Sequence, residues 1–259
     1  MAKFAPHYNL FKIIDNLILF GKIAFWLIII FSIVPVAFKD FCNIHNLINT
    51  INILNIIGIG LFFIIGIINE YILTPQADSK RRDDFIDNSF GSAFSTNSSV
   101  DYYDNDEVSK GLYKAAVNLF ENCFFSYSLV KATTLRQVII PSGMLLLMVV
   151  LSYYGLKEVP YTLSVLQAIF SANILGQLIK HLILLNKLST IQDSWIALFQ
   201  HGDLKTTTLK YQTSIYRYWL QYETLQSKIK AEIPGNIFNK LNPLLTSEWI
   251  KMKIKYNIS

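Results

Sequence analysis

Two long apolar runs, residues 17–38 and 51–73, stand on either side of a short polar turn. Each is about the length needed to cross ~30 Å of hydrocarbon. Lipid offers the backbone no hydrogen-bond partners, so a segment immersed in it satisfies its own amides as a helix or within a closed barrel. Runs of some twenty positions this rich in Ile, Leu and Phe fit the helix. Lys22 lies near the start of the first run and can snorkel to the interface. Pro35 lies near its far end, where a helix tolerates it. The turn at 39–50 holds Cys42 and His45. The second run holds Asn52 and Asn55, then Gly58, Gly60 and Gly66, small residues expected to serve helix packing rather than a pore.

A second pair of runs follows the middle of the chain. Residues 138–154 form the expected third span, with Pro141 in its first turn. Residues 159–185 form the expected fourth, the most polar of the set, with Gln167, Asn173, Gln177, Lys180 and His181. Asn173 and Gln177 are four apart, and Gln177 and Lys180 share a helical face. Polar groups at bilayer depth face the bundle interior or water. Asn173, Gln177 and Lys180 are therefore the expected pore or helix-seam residues. His181 reads as a boundary residue.

Composition agrees with a membrane protein. Of 259 residues, 52% are hydrophobic and 16% charged, against ~25% charged in soluble domains. The net charge is +5. Its basic residues flank apolar runs rather than interleave with aromatics on one surface, so direct DNA binding is not expected. Cys42 and Cys123 would lie on opposite sides of a bilayer, which leaves no intrachain disulfide. The first run is longer than a signal-peptide core and lacks a cleavage site, so it is read as retained.

The expected fold is all-α, a polytopic membrane protein of four transmembrane helices. Residues 1–74 give an amphipathic interfacial lead-in and the first hairpin. Residues 75–137 are a connecting region, in which Pro75 marks a break, 92–99 a flexible loop, and 108–134 an amphipathic helix. On that helix Leu112, Ala115, Ala116, Leu119, Phe120, Cys123 and Phe124 recur at helical spacing, as a face for the inner leaflet or a partner. Residues 138–185 give the second hairpin. Residues 186–259 form a helical tail whose basic last block is a candidate interfacial helix.

Charge orients this arrangement. The short turns carry one basic residue each, Lys39 and Lys157. The connecting region carries Lys80, Arg81, Arg82, Lys110, Lys114, Lys131 and Arg136, and the tail from Lys187 carries ten basic residues, nine Lys and Arg217. The positive-inside rule then places both termini and the connecting region in the cytoplasm.

Chemistry is sparse. No HExxH, Cys-x-x-Cys, Walker loop, GxGxxG or GxSxG motif occurs. A non-enzymatic chain with no cofactor and no metal is expected. Asp83 and Asp87 share a helix face and could hold a divalent cation, but a solvated face neutralised by Lys80, Arg81 and Arg82 explains the run more simply. The three cations could clamp a phosphate, or simply obey the positive-inside rule. Lys80, Arg81, Arg82, Asp83 and Asp87 are the trigger or phosphate-binding candidates.

The stretch from Ala77 to Gly91, with Tyr103-Asp104-Asn105 and Phe120-Glu121-Asn122-Cys123-Phe124-Phe125, resembles the four-transmembrane pore-forming effectors associated with bacterial cyclic-oligonucleotide anti-phage defence. The resemblance extends to the span layout, the long loop after span two and the helical tail. It implies an abortive-infection effector triggered from the cytoplasm to permeabilise the membrane. It also implies a homo-oligomer in the bilayer, with a cyclic oligonucleotide or a cytoplasmic protein as activator. The alternative is a membrane sensor or scaffold that recruits a soluble partner.

Overall fold

A helical hairpin opens the protein. The computed structural model describes residues 5–37, 45–96, 99, 103, 105–153, 174–201, 204–205, 208–231 and 233–258, and every regular element among them is a helix. Helix α1 (Tyr8–Ala37) joins the later part of the expected lead-in to the first span without a break. Nothing after Pro6 interrupts it, and the polar residues around Asp15 are compatible with helix. Helix α2 (His45–Ile67) packs against it. Gly58 admits Ile28 so closely that an added Cβ would sit 3.3 Å from its Cγ1, whereas Gly60 and Gly66 face open space. Asn55 Nδ2 donates to Ser32 Oγ at 3.0 Å, and Ser32 Oγ donates to the Ile28 carbonyl at 2.8 Å. Phe25 and Phe62 meet at 6.3 Å between centroids. Outward, Ile53, Ile56, Phe63 and Ile64 remain exposed. Both helices are long and apolar enough to cross a membrane, and the apolar stretch of α2 buries none of its residues. The core helix of a water-soluble protein would bury one face.

Pro75 does not break the chain. A π-helical turn (Ile68–Leu73) follows α2, and α3 (Thr74–Phe90) continues directly from it. Thr74 keeps helical geometry, φ −60 and ψ −49, and its N–H donates to the Asn69 carbonyl five residues back. The wide turn sits where proline lacks an N–H and crowds the preceding carbonyls. The mismatch is absorbed by loosening the helix instead of ending it.

Contacts divide the chain into two units. One joins Met1–His7, Asp78–Val138 and Leu178–Ser259; the other joins Tyr8–Ala77 and Ile139–Gln177. The first is a helical domain. It contains most of α3 and the first part of α4 (Leu112–Tyr153). It also contains most of α5 (Ile174–His201), with α6 (Leu209–Lys228) and α7 (Gly235–Lys255). The connecting region and the tail, far apart in sequence, thus build one core.

Helix α4 runs through the centre of that domain. The face expected for a leaflet or partner is occupied internally: Ala115, Ala116, Leu119, Phe120 and Cys123 are fully buried, as are Val117 and Asn118 beside them. Phe120 stacks on Phe199 at 5.0 Å and takes the edge of Trp249 at 5.3 Å. Trp195 meets Tyr218 edge-on at 5.4 Å. The same helix continues past the expected third-span start, with Pro141 inside it.

The expected inner end of span four, and the residues just beyond it, also pack on protein. Leu184 and Leu188 are buried in the domain core. His181 is buried too, its Nε2 3.0 Å from Thr134 Oγ1. Apolar composition alone cannot separate a lipid-facing stretch from one covered by protein. Residues 159–173 of that span, and Asn173 with them, lie outside the described residues, as does Cys42.

Candidate functional site

Helix α3 carries the trigger candidates, and the domain has engaged several of them. Arg81 Nη2 lies 2.5 Å from Glu223 Oε2 on α6. Lys230 Nζ, just beyond α6, lies 2.8 Å from Asp78 Oδ1. The two pairs seat the first turns of α3 on α6. Burial disfavours the Arg81 cation, but Glu223 beside it outweighs that cost and holds the guanidinium further into its charged range. His7 is buried nearby. Burial, and then the Arg81 cation, lower its imidazole to about 4, against an opposing pull from Asp78. Lys80 is exposed, while Arg82 and Asp83 are half-buried.

Further along α3, Asp87 organises the segment read as a flexible loop. Its carboxylate accepts from Ser92 Oγ at 2.9 Å, Phe94 N at 2.8 Å, Ser95 N at 2.7 Å and the Ser95 hydroxyl. Burial alone would push this carboxyl up; the donors outweigh it and hold it lowered to about 2. Asp84 accepts from Ser99 N at 2.9 Å through one oxygen, while Oδ2 has no hydrogen-bond partner among the described residues. Burial raises its carboxyl. Helix α3 then stops at Gly91, whose φ of +75 suits glycine and whose N–H bonds the Asp87 carbonyl at 2.8 Å.

These two carboxylates should therefore respond oppositely to neutralisation. Asp87→Asn removes a charge that multiple donors stabilise and should cost about 2 kcal/mol at neutral pH. Since the folded pKa is depressed, that contribution is present above the unfolded value, near 4, and is lost as pH falls towards 2. Asp84→Asn keeps an acceptor for Ser99 and relieves a buried charge, so it should not destabilise. Thermal unfolding in detergent, followed by circular dichroism from neutral to acid pH, checks both. Equal losses for the two variants would overturn the assignment.

Sequence reasoning had no route to a buried amide network behind α3. Asn105 Nδ2 donates to Asn118 Oδ1 at 2.9 Å and to Glu121 Oε2 at 2.6 Å. Asn118 Nδ2 donates to Asn88 Oδ1 at 3.0 Å and Ser89 Oγ at 3.2 Å. Trp249 Nε1 reaches Asn105 Oδ1 at 3.4 Å. These amides tie α3, the 105–108 turn, α4 and α7 together. A satisfied polar network of this kind fixes register, because any slip leaves buried donors unmatched.

No protein-family model, no curated protein and no solved structure matches this chain. The site is therefore read from its chemistry alone. Among the described residues, no three His, Cys, Asp or Glu side chains converge as metal ligands would. The Cys123 thiol is buried, and burial pushes it up, away from the reactive thiolate. What α3 leaves at least partly accessible is mixed in character. Beside Lys80 and Arg82 at its start, its end carries Phe90, which stacks on Trp219 at 6.2 Å, and Trp219 stacks on Tyr216 at 6.4 Å. Phe94, just beyond α3, and Leu220, next to Trp219 on α6, are exposed. Of the seam candidates, Gln177 and Lys180 are exposed positions on α5, with Lys180 in the helical domain.

Proposed function

We propose that this chain is a non-enzymatic membrane effector of bacterial anti-phage defence, triggered from the cytoplasm to permeabilise the inner membrane. In this reading the chain crosses the bilayer four times, through α1, α2, the latter part of α4, and the segment ending near Gln177. Both termini and the helical domain are cytoplasmic, the spans assemble as a homo-oligomer, and Asn173, Gln177 and Lys180 line or abut the seam. The trigger is a cyclic oligonucleotide or a soluble protein received at α3.

One observation carries the reading: a helical domain with its own buried core and exposed apolar helices share continuous helices. Helix α2 passes through the π turn into α3, and α4 runs from Leu112 to Tyr153 without a break. In this reading a change in how α3 is seated is passed to α2 through the helical chain that joins them. The resemblance at Ala77–Gly91 and the charge bias supply the biological setting.

Phage infection of cells carrying the gene and its neighbours, followed with a potential-sensitive dye, tests it. Depolarisation is expected in wild type. Asn173→Leu with Gln177→Leu should abolish it while leaving the protein in the membrane fraction. Intact potential in infected wild-type cells would sink the proposal. The second reading, a scaffold that recruits a soluble partner, is favoured by the exposed Phe94, Tyr216 and Leu220. A stoichiometric co-purifying protein without depolarisation would select it.

A further inference from the structure

The last helix has two very different sides. Leu245 and Trp249 are buried in the domain core, with Leu241, Met252 and Tyr256 packed beside them. On the outer side Ile250 is 50% exposed and Ile254 73%. They lie one turn apart, on the same face. Along them runs a second exposed row, Lys240, Leu244, Lys251 and Lys255, spaced at helical intervals. The helix carries four lysines and a single acidic residue, Glu248. At its C-terminal end an open recess of about 430 Å³ is lined by Lys205, Ile250, Lys253, Ile254, Asn257 and Ile258. Lys253 is held there by Glu107 Oε1 at 2.8 Å, and Lys205 Nζ stands 5.9 Å from the Tyr113 ring centroid.

We propose that this outer face of α7 docks on an anionic lipid leaflet, isoleucines into the acyl boundary and lysines at the headgroup phosphates. Charge complementarity is the first argument: a lysine row beside an apolar row matches an interfacial helix on anionic lipid. Composition is the second. Protein interfaces favour Arg and aromatics and are poor in Lys, whereas this face offers Lys and Ile and its tryptophan is turned inward. Tethering is the third. The domain is covalently joined to helices apolar enough to cross a membrane, so docking on that leaflet is intramolecular and weak contacts suffice. The inference rests on the reading that the chain resides in a bilayer.

The test uses the full chain in nanodiscs of phosphatidylcholine alone or mixed with phosphatidylglycerol. A fluorophore is placed at Ser247→Cys, an exposed position on the outer side of α7, in a Cys42→Ser background, Cys123 being buried. In the mixed lipid the label should be shielded from aqueous iodide and quenched by spin-labelled lipid. Lys251→Gln and Lys255→Gln should each lower the docked-to-undocked ratio about fivefold, and Ile250→Ser with Ile254→Ser should abolish docking. These residues are exposed, and circular dichroism checks that the variants fold. Equal iodide access in both lipids would overturn the proposal. So would shielding that vanishes at one chain per disc, which would mean contact between copies. A chain that fails to co-migrate with the discs would sink the membrane reading itself, whereas a disc-bound chain with an accessible label sinks only the docking.

Discussion

Trp249→Ala is expected to destabilise the helical domain by about 3–5 kcal/mol, the range for emptying a large aromatic site in a packed core. Trp249 is almost fully buried, edge-on to Phe120 at 5.3 Å and stacked near Phe124 at 6.4 Å. Its indole N–H also points at Asn105 Oδ1. Two losses therefore combine, a cavity between α4 and α7 and an acceptor left without its donor. Trp249→Phe separates them. It restores most of the ring but not the N–H, and should recover part of the loss while leaving about 1–3 kcal/mol for the unmatched acceptor. Denaturant unfolding in mild detergent, followed by near-ultraviolet circular dichroism, measures both. A loss under about 1 kcal/mol for Trp249→Ala would mean that α7 is not part of the core, and would remove the support on which its outer face is presented.

Arg81→Met should cost a similar amount, about 3–5 kcal/mol, because it strands the Glu223 carboxylate. The two side chains are only 18% and 13% exposed, so water cannot fully take over. Glu223 Oε1 already lacks a hydrogen-bond partner among the described residues. Arg81→Met with Glu223→Met should then recover much of the loss, since a well-packed apolar pair can replace a buried ion pair at little cost. The double-mutant cycle is the measurement, and additive single effects would show that the pair is not coupled. Because α3 directly continues α2, loosening this seat is also expected to lower the threshold for the proposed depolarisation. Asp78 and Lys230 give the same helix a second tie, so complete release should need both pairs.

Much of the local structure was legible in the residues. The apolar runs announced α1 and α2, since some twenty mostly apolar residues are the length of a membrane-crossing helix. The three- and four-residue spacing from Leu112 to Phe124 announced the start of α4. Boundaries were less legible, for physical reasons. Pro75 is tolerated because a π turn precedes it, and that accommodation depends on the whole helix being held. Pro141 likewise sits inside a continuous helix. Leu184 looked like lipid-facing sequence because burial against protein and burial in lipid call for the same side chains.

The site was only half readable. Lys80, Arg81, Arg82, Asp83 and Asp87 stood out as a charge run, but a run does not state which members are already paired. Glu223 is 142 residues from Arg81 and Trp249 is 144 from Asn105. No local pattern encodes such distances. Only folding the tail against the connecting region separates engaged charges from free-standing ones. It likewise places Asp87, a trigger or phosphate-binding candidate in the sequence, at the centre of a loop.

By itself the sequence determined that the chain is helical, that its first two apolar runs are long enough for a membrane, and that its chemistry is not that of a recognisable catalytic motif. Periodicity and length carry that information directly. The tertiary structure alone decided that residues 78–138 and 178–259 make one domain, and that α4 is its central helix rather than a leaflet-facing one. It also decided that the outer side of α7 is left uncovered. Those outcomes turn on which faces meet, and each helix in isolation offers several faces that could bury equally well.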